Sequence, residues 1–138
     1  MQTPRSPFDQ VGGMAYFARM LDKIRLSASG RLHHDFRENI GIGFDGRCTR
    51  YLHVDHAMRV DRVLKGGSDE EILEWCFANG RRLNQEEIFV WNQFMTKRGW
   101  RDDASEELEE YKKSSGLSHR SDLSTFFEFF EVDESRRK

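Results

Sequence analysis

A chain of 138 residues with 37% hydrophobic and 12% aromatic residues is long enough for one cored domain and too apolar for disorder. Its net charge of −2 and pI near 6.2 exclude the basic footprint of a nonspecific nucleic-acid binder or of a protein held on anionic lipid. With only two prolines, the chain is free to be largely helical.

Residues 1–12 carry Pro4 and Pro7 and read as a lead-in arm. Their stretch MQTPRSPFD has neither a signal-peptide core nor the length of a membrane span. With Cys48 and Cys76 as the only cysteines, a cytoplasmic protein with free thiols is expected. Over residues 13–29, Phe17, Leu21, Ile24 and Ala28 share one stripe with Met20 beside it, while Arg19, Asp22 and Lys23 lie opposite. This predicts an amphipathic helix ended by Gly30.

Residues 31–47, RLHHDFRENIGIGFDGR, break the periodicity with paired histidines and three glycines. The glycines lack the spacing and the Lys-Ser/Thr ending of a phosphate-cradling loop and read as backbone turns. Asp45 is expected to cap a short helix over 47–52, and Asp55 the next one, whose stripe is Ala57, Val60, Val63 and Leu64.

The strongest signals lie over residues 66–100. Ser68 with Glu71 is a capping box opening a helix that ends at Gly80, and Asn84 with Glu87 opens a second that ends at Gly99. Ile72, Leu73, Trp75, Cys76 and Phe77 cover half of the first. In the second, Ile88, Trp91 and Met95 form a line while Phe89, Val90 and Phe94 spread around the remainder, which predicts a helix enclosed on most sides. Asp103 with Glu106 reads as a third capping box before a charged helix ended by Gly116. The final helix, 121–131, aligns Leu123, Phe126, Phe127 and Phe130, and residues 132–138 read as a solvated tail. The expected fold is all-α: a compact single-domain bundle of about six helices with one irregular segment rich in Gly, His and Arg.

That segment is the expected site, because function concentrates on loops held by a rigid scaffold. His33, His34, Asp35, Arg37, Asp45, Arg47 and Arg50 are the candidate ligand-binding residues, with guanidinium groups suited to an anionic ligand or an acidic protein partner. His33, His34, His53, His56 and Asp35 are of the types that ligate zinc or iron, but their spacing is that of no metal motif and no His-Glu-x-x-His helix or Cys-x-x-Cys pair is present, so no metal and no cofactor are expected. The alternative is a small enzyme in which Cys48, near a helix N-terminus and beside Arg47, or a histidine-based site, does chemistry. A binding or protein-interaction module is the preferred reading. Neither nucleic acid nor membrane is expected as a partner.

The stretches GGMAYFARMLDK, GFDGRCTRYL, GGSDEEILEWCFANGRR, VWNQFMTKRGWRDD and DLSTFFEFFEVDE together resemble a bacterial family of small proteins known as domain of unknown function 5069. The resemblance spans nearly the whole chain and implies a single bacterial helical domain. It brings no activity, cofactor or catalytic residue with it.

Overall fold

The computed structural model describes all residues from Met1 to Lys138. It contains seven α-helices, one short 3-10 helix and a two-stranded hairpin. The backbone gathers into two compact units, Met1–Phe89 and Val90–Lys138.

In the first unit the chain forms β1 (Gln10–Val11), β2 (Met14–Ala15) and α1 (Phe17–Ala28). Helix α1 starts later than the apolar pattern predicts because Gly12 and Gly13, both at positive φ, close an antiparallel hairpin pairing Val11 with Met14. The lead-in residues are packed rather than free: Pro4, Pro7 and Val11 are buried, and Gln2 bridges to Leu32. Their position is fixed by charge as well. Arg5 pairs with Asp69 at 3.1 Å, and Arg25 from the end of α1 reaches the same carboxylate at 2.6 Å.

A 3-10 helix (His34–Asn39) leads to α2 (Phe44–Leu52), α3 (His56–Leu64) and α4 (Asp69–Asn79). Asp55 caps α3 by accepting from the backbone N–H groups of Ala57 and Met58, and the Ser68–Glu71 capping box of α4 forms in full. Helix α1 packs against α3 and the hairpin, and α4 against α3 and β1. Their side chains make a core that includes Phe17, Met20, Leu21, Leu52, Ile72 and Cys76.

Helix α5 (Gln85–Lys97) opens with the reciprocal Asn84–Glu87 cap, whose two bonds are 2.8 and 3.0 Å. It is less enclosed than expected. Trp91 and Met95 are buried, but Phe89 and Val90 are 57% and 50% exposed and Phe94 also faces solvent, so burial follows the narrow i, i+4 line alone.

The second unit adds α6 (Ser105–Ser114) and α7 (Phe126–Asp133). Asp103 does not form the expected capping box. Asp102 takes that place, accepting from the N–H groups of Gly99 and Ala104, while Asp103 pairs with Arg98. Helix α7 is shorter than expected because Thr125 caps it by accepting from Glu128 N–H. Lys112 on α6 is buried, and its ammonium donates to the Leu123 carbonyl at 3.2 Å. The terminal residues stay exposed yet make ion pairs, with Arg136 reaching Glu131 at 2.7 Å.

Gly80, after α4, lies where a Cβ would stand 2.1 Å from the Leu52 carbonyl oxygen and 2.8 Å from that of His53. Backbone atoms cannot step aside as a flexible side chain can. Gly80→Ala should therefore destabilise the protein by roughly 1–3 kcal/mol, the usual range for overpacking. Urea denaturation checks this through a lowered midpoint at unchanged slope.

Candidate functional site

The buried charged residues of the first unit converge on one carboxylate. Asp45 sits in the first turn of α2 rather than capping it, because α2 starts at Phe44, three residues earlier than expected. Its side chain is 0% exposed. The Tyr16 hydroxyl donates to Oδ1 at 2.7 Å, the Lys23 ammonium donates to the same oxygen at 3.2 Å, and Gly41 N–H donates to Oδ2 at 3.0 Å. A carboxylate taken out of water needs such donors, since an unpaired charge in a protein interior costs several kcal/mol.

Each donor is placed by local structure. Tyr16 stands at φ 72°, a left-handed conformation that a bulky residue adopts only under constraint, and its N–H is held by the Pro7 carbonyl at 3.0 Å. That conformation turns the chain from hairpin into helix and aims the phenol at Asp45. Burial, reinforced by the Asp45 charge, pushes the Tyr16 phenol well above its ordinary range and keeps it a donor. Lys23 lies two helical turns further on, and Arg19 lies between them, with Nη1 donating to the Arg5 carbonyl at 3.0 Å. Both cations were expected on the solvent side of α1. They are buried, at 5% and 2% exposure, because the hairpin and α3 cover this helix beyond its apolar stripe.

Arg59 of α3 is the fourth charged member, also 0% exposed. Its Nη1 points at the Met20 sulfur, 2.6 Å away, and its Nη2 meets His56 Nδ1, while Nε has no hydrogen-bond partner. Sulfur is a weak acceptor, and the imidazole must be neutral to accept at all. Burial, with help from the neighbouring Arg59 charge, lowers the His56 pKa and favours that neutral form. Arg59 feels the Asp45 charge, but no carboxylate oxygen pairs with it directly. Gly41 lies directly on the His56 ring: at φ 82° it is suited to glycine, and a Cβ there would be 2.6 Å from His56 Cε1. Gly46 lies close to both Arg50 Nη1 and the Gly41 carbonyl, 3.1 and 3.2 Å from where a Cβ would be, which brings Arg50 beside the Gly41 turn.

The residues singled out from the sequence therefore separate. Asp45 is the buried hub. Arg50 is exposed at the adjacent turn, and Arg47 is half-buried on α2. His33, His34, Asp35 and Arg37 belong to the 3-10 segment and its cap, where His33 is half-buried and the other three are exposed. Sequence reasoning left Tyr16, Arg19 and Lys23 out of the site. The signal was Tyr16, Arg19 and Lys23 at i, i+3 and i+7, a line of donors along one helix face.

Cys48 has the chemistry of a core residue. It is fully buried, and burial raises its thiol pKa far above the ordinary value, leaving no thiolate to act as a nucleophile. Cys76 is buried as well, with its thiol pushed up to about 11 for the same reason.

No helix is long and apolar enough to cross a membrane. The family model described as Domain of unknown function (DUF5069) matches residues 1–136, and the chain belongs to that family. No curated protein matches it.

Asp45→Asn keeps the shape of the side chain but removes the counter-charge of Lys23, and should destabilise by about 3–5 kcal/mol, as breaking a buried pair does. Chemical denaturation measures that loss. A thiol-reactive chromogenic disulfide at pH 8 should find neither cysteine in the native protein and both once it is unfolded.

Proposed function

We propose that this member of the family is a binding module for a small oxyanion, a carboxylate or a phosphate, received by Arg59 behind the His56 ring. The observation that carries this reading is the state of the Arg59 guanidinium: buried, charged, and facing a sulfur and an imidazole where an anion's oxygens would serve it better. A guanidinium has five N–H donors in a planar fork that matches a carboxylate or phosphate edge. The oxygens of Asp45 are already engaged by Tyr16, Lys23 and Gly41, so the hub positions the cations without satisfying Arg59.

The route to Arg59 lies past exposed His56 and the Gly41 turn. A rotation of the His56 ring opens the guanidinium to solvent, and the exposed Arg50 adds attraction for an incoming anion. An acidic side chain of a protein partner presents the same carboxylate as a small ligand and is the larger form of the same occupant. Two free, buried cysteines suit the reducing cytoplasm of a bacterial cell.

Thermal unfolding with inorganic phosphate or succinate tests the reading. Binding to the native state alone stabilises by about 2.7 kcal/mol at a ligand concentration of 100 times Kd. The midpoint should rise and saturate with either anion. Arg59→Met should be at least as stable as the parent, since replacing a poorly paired buried charge by an apolar side chain is often neutral or stabilising. Its midpoint should then respond no more than that of a protein stabilised by the general exclusion of phosphate from surfaces. An equal, saturable response in parent and variant would overturn the proposal, as would no response in the parent.

A further inference from the structure

The 3-10 segment carries a second constellation, separate from Arg59. His33 Nδ1 lies 3.5 Å from Asp35 Oδ2, and His34 Nε2 lies 3.1 Å from Asp35 Oδ1. One ligand atom from each of the three residues can be chosen so that all lie within 4.8 Å of one another. Ligand atoms bonded at about 2.0–2.2 Å in a tetrahedral zinc site stand roughly 3.3–3.6 Å apart. Each imidazole thus stands near that spacing from one Asp35 oxygen, His33 Nδ1 from Oδ2 and His34 Nε2 from Oδ1, and rotation of the exposed His34 and Asp35 side chains brings one atom of each residue onto a single ion.

Two features hold the group ready. The His33 backbone is clamped: its N–H donates to the Gln2 carbonyl at 2.9 Å, and its carbonyl accepts from Phe36 N–H at 3.1 Å. The His33 ring stacks on His34 at 4.3 Å between centroids and meets the Phe36 ring edge-on at 6.2 Å. Ring stacking limits the rotamers of both histidines, so less side-chain entropy is lost on binding. At present His33 Nδ1 accepts from Asp35 N–H at 3.2 Å, a neutral hydrogen bond that coordination to a dication would replace.

We infer that His33, His34 and Asp35 form a three-ligand site for a borderline transition-metal dication such as Zn²⁺ or Co²⁺. This departs from the sequence-based expectation of no metal, which rested on the absence of a His-Glu-x-x-His helix and of a Cys-x-x-Cys pair. Two imidazoles and one carboxylate favour this class of ion over Ca²⁺ and Mg²⁺, which prefer all-oxygen shells. Three protein ligands leave the fourth position of a tetrahedral ion to water or to a donor from a partner, so the site is open rather than closed. It shares no residue with the Arg59 site, and the two stand or fall separately.

Titration calorimetry with ZnCl₂ in phosphate-free buffer tests the inference, with visible absorption of added Co²⁺ as a second readout. The parent should bind one Zn²⁺ per chain, and Co²⁺ should develop the intense bands of a four-coordinate site. His34→Ala and Asp35→Asn should each weaken binding roughly tenfold or more, since even groups that only orient a ligand are worth that much. His119→Ala, which removes an exposed histidine elsewhere, should leave it unchanged, as should Arg59→Met. All three ligand side chains are half-buried or exposed, so these variants should keep the parent's unfolding midpoint. The inference is overturned if the parent takes up no Zn²⁺, if Ca²⁺ competes equally, or if Asp35→Asn and His34→Ala bind as the parent does.

Discussion

The carboxylate of Asp45 is the constraint on which the first unit depends. Its side chain is closed off from water, yet it receives the Tyr16 hydroxyl, the Lys23 ammonium and the Gly41 amide, and so ties the start of α1, the middle of α1 and the irregular segment to α2. A buried charge that is fully hydrogen-bonded contributes little net stability over an apolar replacement, but it is strict about geometry. Here that strictness fixes the register of α1 against α2 and holds Tyr16 at an unfavourable φ. The apolar core around Phe17, Met20 and Leu52 supplies the larger favourable free energy, and Asp45 selects which arrangement of that core is adopted.

The same hub leaves an electrostatic remainder. Lys23 and Arg59 are both buried around a single carboxylate, whose direct partner is Lys23, so Arg59 has the Asp45 field without its oxygens. An interior that keeps a guanidinium on a sulfur and an imidazole tolerates a cost that a purely structural core would avoid by placing Met or Leu there. In the proposed reading, the position of His56 gives that cost a use. It is the one polar side chain paired with Arg59 that also reaches solvent, and the glycine at 41 leaves room for its ring.

Much of the helical framework was legible in the sequence because caps are local. The Ser68–Glu71 and Asn84–Glu87 pairs each formed as expected, since every atom they need lies within four residues. Asp103 failed because its carboxylate is held by Arg98 while Asp102, one residue away, takes the amides of Gly99 and Ala104, and sequence alone does not rank two adjacent aspartates. Arg19 and Lys23 were misplaced because a helical wheel assigns charged residues to water and knows nothing of what covers the helix. The hairpin and Tyr16 were missed for a related reason: two-residue strands have no periodicity to read. Of the candidate site, the irregular segment was visible through its glycines and histidines, whereas the cations that meet it come from α1 and α3, distant in sequence and joined to it only by folding.

The state of the Arg59 Nε–H is the most direct measure of whether the cluster receives an anion, because that atom has no hydrogen-bond partner without one. Its ¹⁵N–¹H resonance, assigned by loss in Arg59→Lys, can be followed by NMR while inorganic phosphate is added. The account predicts a saturable shift with slowed hydrogen exchange at Arg59 Nε, while the exposed Arg101 side chain moves only as bulk salt dictates. An Arg59 Nε–H that neither shifts nor gains protection at saturating phosphate would contradict it.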